Sequence, residues 1–406
     1  MKTFYPYLLA LVVLTLISSC ENKLFELDNQ PSAEDFVSNP DHPMKDSLEF
    51  IMGKYVTKGI PGVQVVIKND DGWLHVTNGY AKIETGETFR SGVTTWLFSI
   101  TKTYTAALVM KQIEAGEIDP DQSITSYLPE DVLDKILGHE PVTVRMLLNH
   151  TSGIVNVTDL PEFVVGQLNN PLDQPSIEQR LNMMKNEPLA FEPGTDFLYS
   201  NTNYLLLQLI LEYVSGKTYW QLLDEQIIQP LQLRHTYYGL QNQQVVTLGF
   251  PNYYFDRHAN EQLENITKWN NALANASDAY GALAATPADV IRFHEALLAG
   301  QIVSINSLLE MQNWVEGVNS TEPEYGEGFE YWQFNPGSSP QFGHEGDGIG
   351  CSTQLFYVPD TNTFVFINVN VGRQLYGPYL FKITDIKRDI CRYVANWHEE
   401  QSLKAY

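Results

Sequence analysis

The sequence predicts an α/β (α+β) protein, in which an antiparallel sheet built from the two ends of the chain is flanked by helices and joined to an all-helical lobe. Three observations carry this expectation. Two short β-type runs lie near residues 63–77, a long helix-rich stretch follows to about Ala299, and β-type runs return after Gly300, ahead of a final amphipathic helix.

Val63 to Lys68 and Trp73 to Thr77 read as strands, separated by the turn Asn69-Asp70-Asp71-Gly72. A helix starts near Ser99 and runs through Ala106, Ala107, Leu108, Met110 and Ile113 until Gly116. Tyr204 to Val214 is nearly all apolar, so that helix should be buried on most sides. Strands are expected at Phe329 to Phe334, Gln341 to His344, Ser352 to Val358 and Thr363 to Val369, then a helix from about Tyr379 to His398. No internal repeat is evident.

The N-terminal segment reads as a targeting signal, with Lys2 ahead of the apolar stretch Tyr7 to Ile17, which is too short to span a bilayer. Its end, Ile17-Ser18-Ser19-Cys20, resembles the lipobox of bacterial lipoproteins, which implies lipidation of Cys20 and cleavage before it. The expected organisation is a signal peptide at 1–19, a polar, proline-containing tether at 20–45 and a catalytic domain at 46–400. The α/β lobe of that domain takes about 46–98 and 300–400, and the helical lobe about 99–299. The expected location is the bacterial cell envelope, with a lipid anchor in the membrane.

Against 25 Lys and Arg stand 49 Asp and Glu, a formal net charge of −24 that opposes binding to nucleic acid. Cys351 and Cys391 are too few for a disulfide framework and read as buried thiols, with one disulfide as the alternative. His75, His235 and His294 show no metal-ligand spacing and no His-Glu-x-x-His occurs, so no metal or cofactor is expected. There is no Gly-x-Ser-x-Gly either, and Trp220, Tyr237 and Tyr238 read as core aromatics.

Ser99-Ile100-Thr101-Lys102 places a hydroxyl and an amine about one helical turn apart. A serine is a weak nucleophile until a neighbouring base takes its proton, and a lysine can do so once burial lowers its pKa. One Ser-x-x-Lys is expected by chance in roughly every chain of this size. Here it is followed by Tyr199-Ser200-Asn201 and then His344-Glu345-Gly346. These three motifs, in this order, resemble the Ser-x-x-Lys, Tyr-x-Asn and Lys/His-x-Gly motifs of the serine penicillin-recognising enzymes, in the branch of class C β-lactamases and DD-peptidases. Arg145 to Gly153, Tyr204 to Tyr219 and Thr286-Pro287-Ala288-Asp289 extend the resemblance, which runs from about Ile60 to about Asn370.

The resemblance implies a β-lactamase/transpeptidase-like fold with the active site between lobes. It also implies acylation of Ser99, deprotonation by Lys102 and Tyr199 acting jointly, and binding of the substrate amide by Asn201. The backbone N–H groups of Ser99 and Asp347 would form the oxyanion hole, with Gly346 allowing close approach of the strand. His150 falls in a segment that looks structural. The third motif would line the substrate site, with His344, Glu345, Gly346 and Asp347 binding substrate beside Asn201; true β-lactamases carry Lys-Thr-Gly where this chain has His344, Glu345 and Gly346. A Glu345 carboxylate facing the pocket would repel a substrate carboxylate by roughly 3 kcal/mol at about 5 Å and an effective dielectric near 20, although strand alternation can turn it away. The expected function is therefore hydrolysis of a small amide, D-amino-acid peptide or ester through an acyl-Ser99 intermediate. The alternatives are a true β-lactamase or D-Ala-D-Ala carboxypeptidase, and, in another class, a catalytically silent binding or sensor protein. Small molecules or peptides are the expected substrates, and the sequence leaves the oligomeric state open.

Overall fold

A computed structural model describes residues 36–240, 249–318, 325–333, 338–373 and 377–397. Cys20 and the expected signal peptide lie outside the described residues, as do Phe334 and His398. The main sheet has six strands: β1 (Gly62–Asn69), β2 (Gly72–Gly79), β8 (Glu330–Trp332), β9 (Gln341–Asp347), β10 (Ser352–Val358) and β11 (Thr363–Val369). Their spatial order is β2-β1-β11-β10-β9-β8, antiparallel throughout, so N-terminal and C-terminal segments meet where β1 pairs with β11, Val65 opposite Ile367.

The central strands β1 and β11 are largely apolar because both faces are covered. Val63, Val65 and Ile67 of β1 and Val365, Ile367 and Val369 of β11 pack under helix α1 (Lys45–Val56) and the C-terminal helix Pro378–Ala395. Val66, Phe364 and Phe366 point to the other face, into the core shared with the second lobe. Alternate residues thus serve two cores, as the two-residue period of a strand requires.

Helix α2 (Thr101–Glu114) is buried from Thr101 to Met110, so it forms the centre of the second lobe. The helix Asn201–Ser215 packs beside it, with Tyr204 to Leu207, Ile210 and Leu211 buried, and it ends at Gly216, whose φ of 65° suits a residue without Cβ.

Two expectations are corrected. The second lobe is not all-helical: β3 (Thr95–Trp96), β4 (Thr236–Tyr238) and β7 (Leu283–Ala285) form a small sheet in the order β3-β7-β4, and β5 (Tyr254–Phe255) pairs with β6 (Glu264–Asn265). Strands of two or three residues carry no detectable alternation. The expected tether at 20–45 is part of the folded body from Phe36 onward. Phe36 stacks on Trp73 at 4.5 Å, Asn39 N–H donates to the Trp73 carbonyl at 2.7 Å, and Met44 is fully buried. These few apolar anchors are hidden in a polar stretch. Cys351 and Cys391 are both buried free thiols, as expected, and the disulfide alternative falls.

Candidate active site

Ser99 is set in place by backbone pairing. The Leu97 N–H donates to the Leu283 carbonyl of β7 at 2.8 Å, and the chain then makes a tight turn at Phe98–Ile100 that runs into α2. Phe98 has a φ of 45°, a strained value for a bulky residue immediately before Ser99. Strand β9 presses against this turn so closely that a Cβ on Gly346 would lie 1.9 Å from the Leu97 carbonyl oxygen. Glycine at 346 is therefore a steric requirement.

Lys102 is fully buried, with its Nζ 2.9 Å from Ser99 Oγ, 2.7 Å from Asn201 Oδ1 and 3.0 Å from the Tyr280 carbonyl oxygen. Burial holds its pKa well below that of an ordinary lysine, with the Glu330 carboxylate opposing the shift. A neutral amine would place two N–H groups on Asn201 and Tyr280 and leave its lone pair for the Ser99 hydroxyl proton. Both acceptors are fixed in turn. Asn201 Nδ2 donates to Thr158 Oγ1 at 3.0 Å, and Arg180 holds the segment before Tyr280 by donating to the Ala276 carbonyl and the Tyr280 hydroxyl, each at 2.7 Å.

Burial raises the phenol pKa of Tyr199 well above the usual value, with Glu330 adding to the rise and the Ser99 hydroxyl opposing it. Tyr199 is positioned by His150. The His150 carbonyl accepts the Leu198 N–H at 3.0 Å, and its Nδ1 accepts both the Ser200 N–H at 3.2 Å and Asn203 Nδ2 at 3.1 Å. With Nδ1 accepting twice, the ring proton sits on Nε2. His150 is thus structural, as expected, and what it builds is the mount of Tyr199.

Along β9 the side chains alternate. Glu345 and Asp347 line a cavity of about 400 Å³ that also contains Ser99, Tyr199 and Asn201. His344 and Gly346 face the protein interior, which corrects the expectation that His344 binds substrate. Its ring is fully buried, with Nδ1 2.6 Å from the Glu345 carbonyl oxygen, so it donates there and accepts the Tyr325 hydroxyl at Nε2 over 2.8 Å. Burial, with Lys102 adding to it, holds His344 neutral with a pKa of about 3.

The cavity has two unlike walls. Phe98, Phe163, Val164 and Leu273 supply the apolar part; Glu330, Glu345, Asp347 and Arg373 supply a charged one, and Asp159 is a further carboxylate on the lining. Glu345 pairs with Arg373 and, at 3.1 Å, with Lys387; Asp347 accepts from Arg373 Nε at 2.7 Å. The bare repulsion expected of Glu345 is therefore corrected: the side chain does face the cavity, but two cations neutralise it. Glu330, which accepts the Glu345 N–H at 3.0 Å, has its pKa pushed up to about 8 by burial and by Glu345. Among the described residues no group of three or more His, Cys, Asp or Glu side chains is arranged to hold a metal ion.

Ser99, Lys102, Tyr199, Asn201, Glu345 and Asp347 are thus brought together, with Gly346 shaping the approach. Sequence reasoning missed Glu330, Arg373 and Lys387. Lys387 did carry a signal, because it lies on the stripe of Ile383, Ile386 and Ile390, where a charge needs a partner. Glu330 and Arg373 carried none.

A family model described as Beta-lactamase matches residues 43–375. Penicillin-binding protein 4* of Bacillus subtilis (strain 168) is 25% identical over 318 residues, which cover 76% of this chain and 67% of the relative. Protein flp of Staphylococcus aureus (strain MW2) is 27% identical over 195 residues, and that match spans 47% of this chain but only 38% of the relative's length. Among solved structures, a D-stereospecific amidohydrolase from Streptomyces sp. superposes with a TM-score of 0.70 at 26% identity, covering 82% of this chain and 95% of its own. A D-amino acid amidase from Ochrobactrum anthropi SV3 gives 0.74 at 21% identity, covering 88% and 99%, and shares the fold. With a matched span of this length, and a buried lysine in contact with a serine that lines the cavity, the chain belongs to the β-lactamase family of serine hydrolases.

Proposed function

We propose that the protein hydrolyses a small amide, D-amino-acid peptide or ester through an acyl-Ser99 intermediate. The observation that carries this reading is the 2.9 Å contact between the Lys102 amine and the Ser99 hydroxyl, with the other two neighbours of the amine being acceptors. Lys102, kept neutral by burial, takes the Ser99 proton as Oγ attacks the substrate carbonyl. The N–H groups of Ser99 and Asp347 receive the oxyanion. Tyr199, whose phenol burial keeps protonated, passes a proton to the leaving amine or alkoxide as the tetrahedral intermediate collapses. Water then attacks the acyl-enzyme, and its proton returns through the same pair, releasing the acid and restoring Ser99.

The apolar wall suits a hydrophobic side chain on one side of the scissile bond, and a cavity of about 400 Å³ suits a small substrate. The amide preference is supported by the resemblance to the D-stereospecific amidohydrolase. A panel of D- and L-phenylalanine amides, neutral esters, a penicillin and an acyl-D-Ala-D-Ala peptide tests it. The expected result is turnover of the D-amide or the ester above the penicillin, and the reverse order overturns the reading.

The same proposal places the enzyme in the bacterial cell envelope, anchored through lipidated Cys20. Expression in a Gram-negative host should give a membrane-fraction protein that begins at acylated Cys20, and Cys20→Ala should release it. An unlipidated mature protein starting elsewhere overturns the anchor.

A further inference from the structure

We propose that Glu345 sets substrate specificity by acting as an internal carboxylate. It occupies the seat on Arg373 and Lys387 where a substrate carboxylate would bind, so the pocket takes substrates that end in a neutral group. This rests on the hydrolase reading of the site, but it concerns the charged wall and not the nucleophile.

Among the described residues that line the cavity, Arg373 is the sole cation, and it is already engaged twice, by Glu345 through Nη2 and by Asp347 through Nε at 2.7 Å. Lys387 lies behind this wall, buried on the C-terminal helix. Its Nζ is 3.1 Å from Glu345 Oε1, 3.1 Å from Ser352 Oγ and 3.2 Å from the Thr353 carbonyl oxygen. Two cations thus face two carboxylates at this wall, with the Glu330 carboxyl, its pKa raised to about 8, beside them and Asp159 elsewhere on the lining. The two cations and two carboxylates balance. A substrate carboxylate finds no spare positive charge and must break a buried ion pair to enter, a change that leaves one anion uncompensated.

Removing the Glu345 charge has a defined consequence. Arg373 keeps Asp347, Lys387 keeps Ser352 and the Thr353 carbonyl, and one positive charge becomes available beside the cavity. An exogenous carboxylate can then take the vacated seat. The exclusion differs from simple repulsion because the gain depends on Arg373.

The test is a binding measurement in the Ser99→Ala background, so that it does not depend on turnover. N-acetyl-D-Ala-D-alanine and its C-terminal amide are titrated calorimetrically into this protein and into versions that also carry Glu345→Thr, Glu345→Gln, or Glu345→Thr with Arg373→Ala. Thermal melting checks that each is folded. The expected result is a rise of about a hundredfold in affinity for the acid relative to the amide in Glu345→Thr, a similar direction in Glu345→Gln, and loss of most of the gain when Arg373 is also removed. An unchanged ratio in both single variants, absence of acid binding to the Glu345→Thr protein, or a gain that persists without Arg373 overturns the proposal. The hydrolase reading fails separately, through absence of fluorophosphonate labelling at Ser99 in the otherwise unaltered protein.

Discussion

Ser99→Ala is expected to reduce hydrolysis by about 10⁴-fold or more, and Lys102→Ala and Tyr199→Phe should each cause a severe loss that does not add when the two are combined. Lys102 Nζ contacts the Ser99 hydroxyl and lies 4.9 Å from the centre of the Tyr199 ring, so the three are expected to act as one unit and removing one leaves little for a second removal to take. The sign of the pH dependence follows from Lys102. Its pKa is lowered by burial, so the amine is neutral above that lowered value and competent as a base; activity should fall as pH drops through it. Lys102→Arg, charged at every accessible pH, should stay inactive across the whole profile. A fluorophosphonate followed by mass mapping checks the assignment: Ser99 is labelled in the wild type, far more slowly in Lys102→Ala, and not in Ser99→Ala. Wild-type hydrolysis by Ser99→Ala would remove the central claim.

Gly346→Ala should also be damaging, though less than Ser99→Ala, although it adds only a methyl group. The new Cβ would stand 1.9 Å from the Leu97 oxygen and 2.6 Å from Thr353 Oγ1. The first neighbour is backbone held by β7, which cannot rotate aside, so β9 must move away from the nucleophile turn. The Asp347 N–H moves with it, and displacement of an oxyanion donor by about an ångström costs on the order of a hundredfold in rate. Gly53→Ala is the matched control. Gly53 lies in α1, and its nearest neighbour would be the Asn78 Nδ2 at 3.4 Å, so the same change there should leave activity alone and raise stability by up to about 1 kcal/mol. Equal kcat values for Gly346→Ala and wild type, with both folded by circular dichroism, would show that the close approach is not required.

Much of this molecule is legible in its sequence, and the reason differs from element to element. The expected bounds of β10 and β11 match the observed ones, because β11 and the second half of β10 are runs of apolar, β-prone residues, as strands covered on both faces tend to be. The helix Asn201–Ser215 was readable for a similar reason. The small sheet of β3, β4 and β7 was not, since strands this short are specified by their partners and not by their own pattern. The attachment of residues 36–44 depends on Trp73, a contact that polar local composition conceals.

At the site, the sequence by itself determined the chemistry: which hydroxyl, which amine, which phenol and which amide are present, and that Ser99 and Lys102 share a helical face. Those relations are local, because three residues in a helix return to the same side. Only the tertiary structure decided the charges and the directions. It turned Glu345 into the cavity and His344 out of it, paired Glu345 with Arg373 and Lys387 from 28 and 42 residues further along the chain, and buried Lys102 deeply enough to favour its neutral form. Electrostatic energies depend on distance and on exclusion of water, and neither can be read along a chain until distant segments have packed against one another.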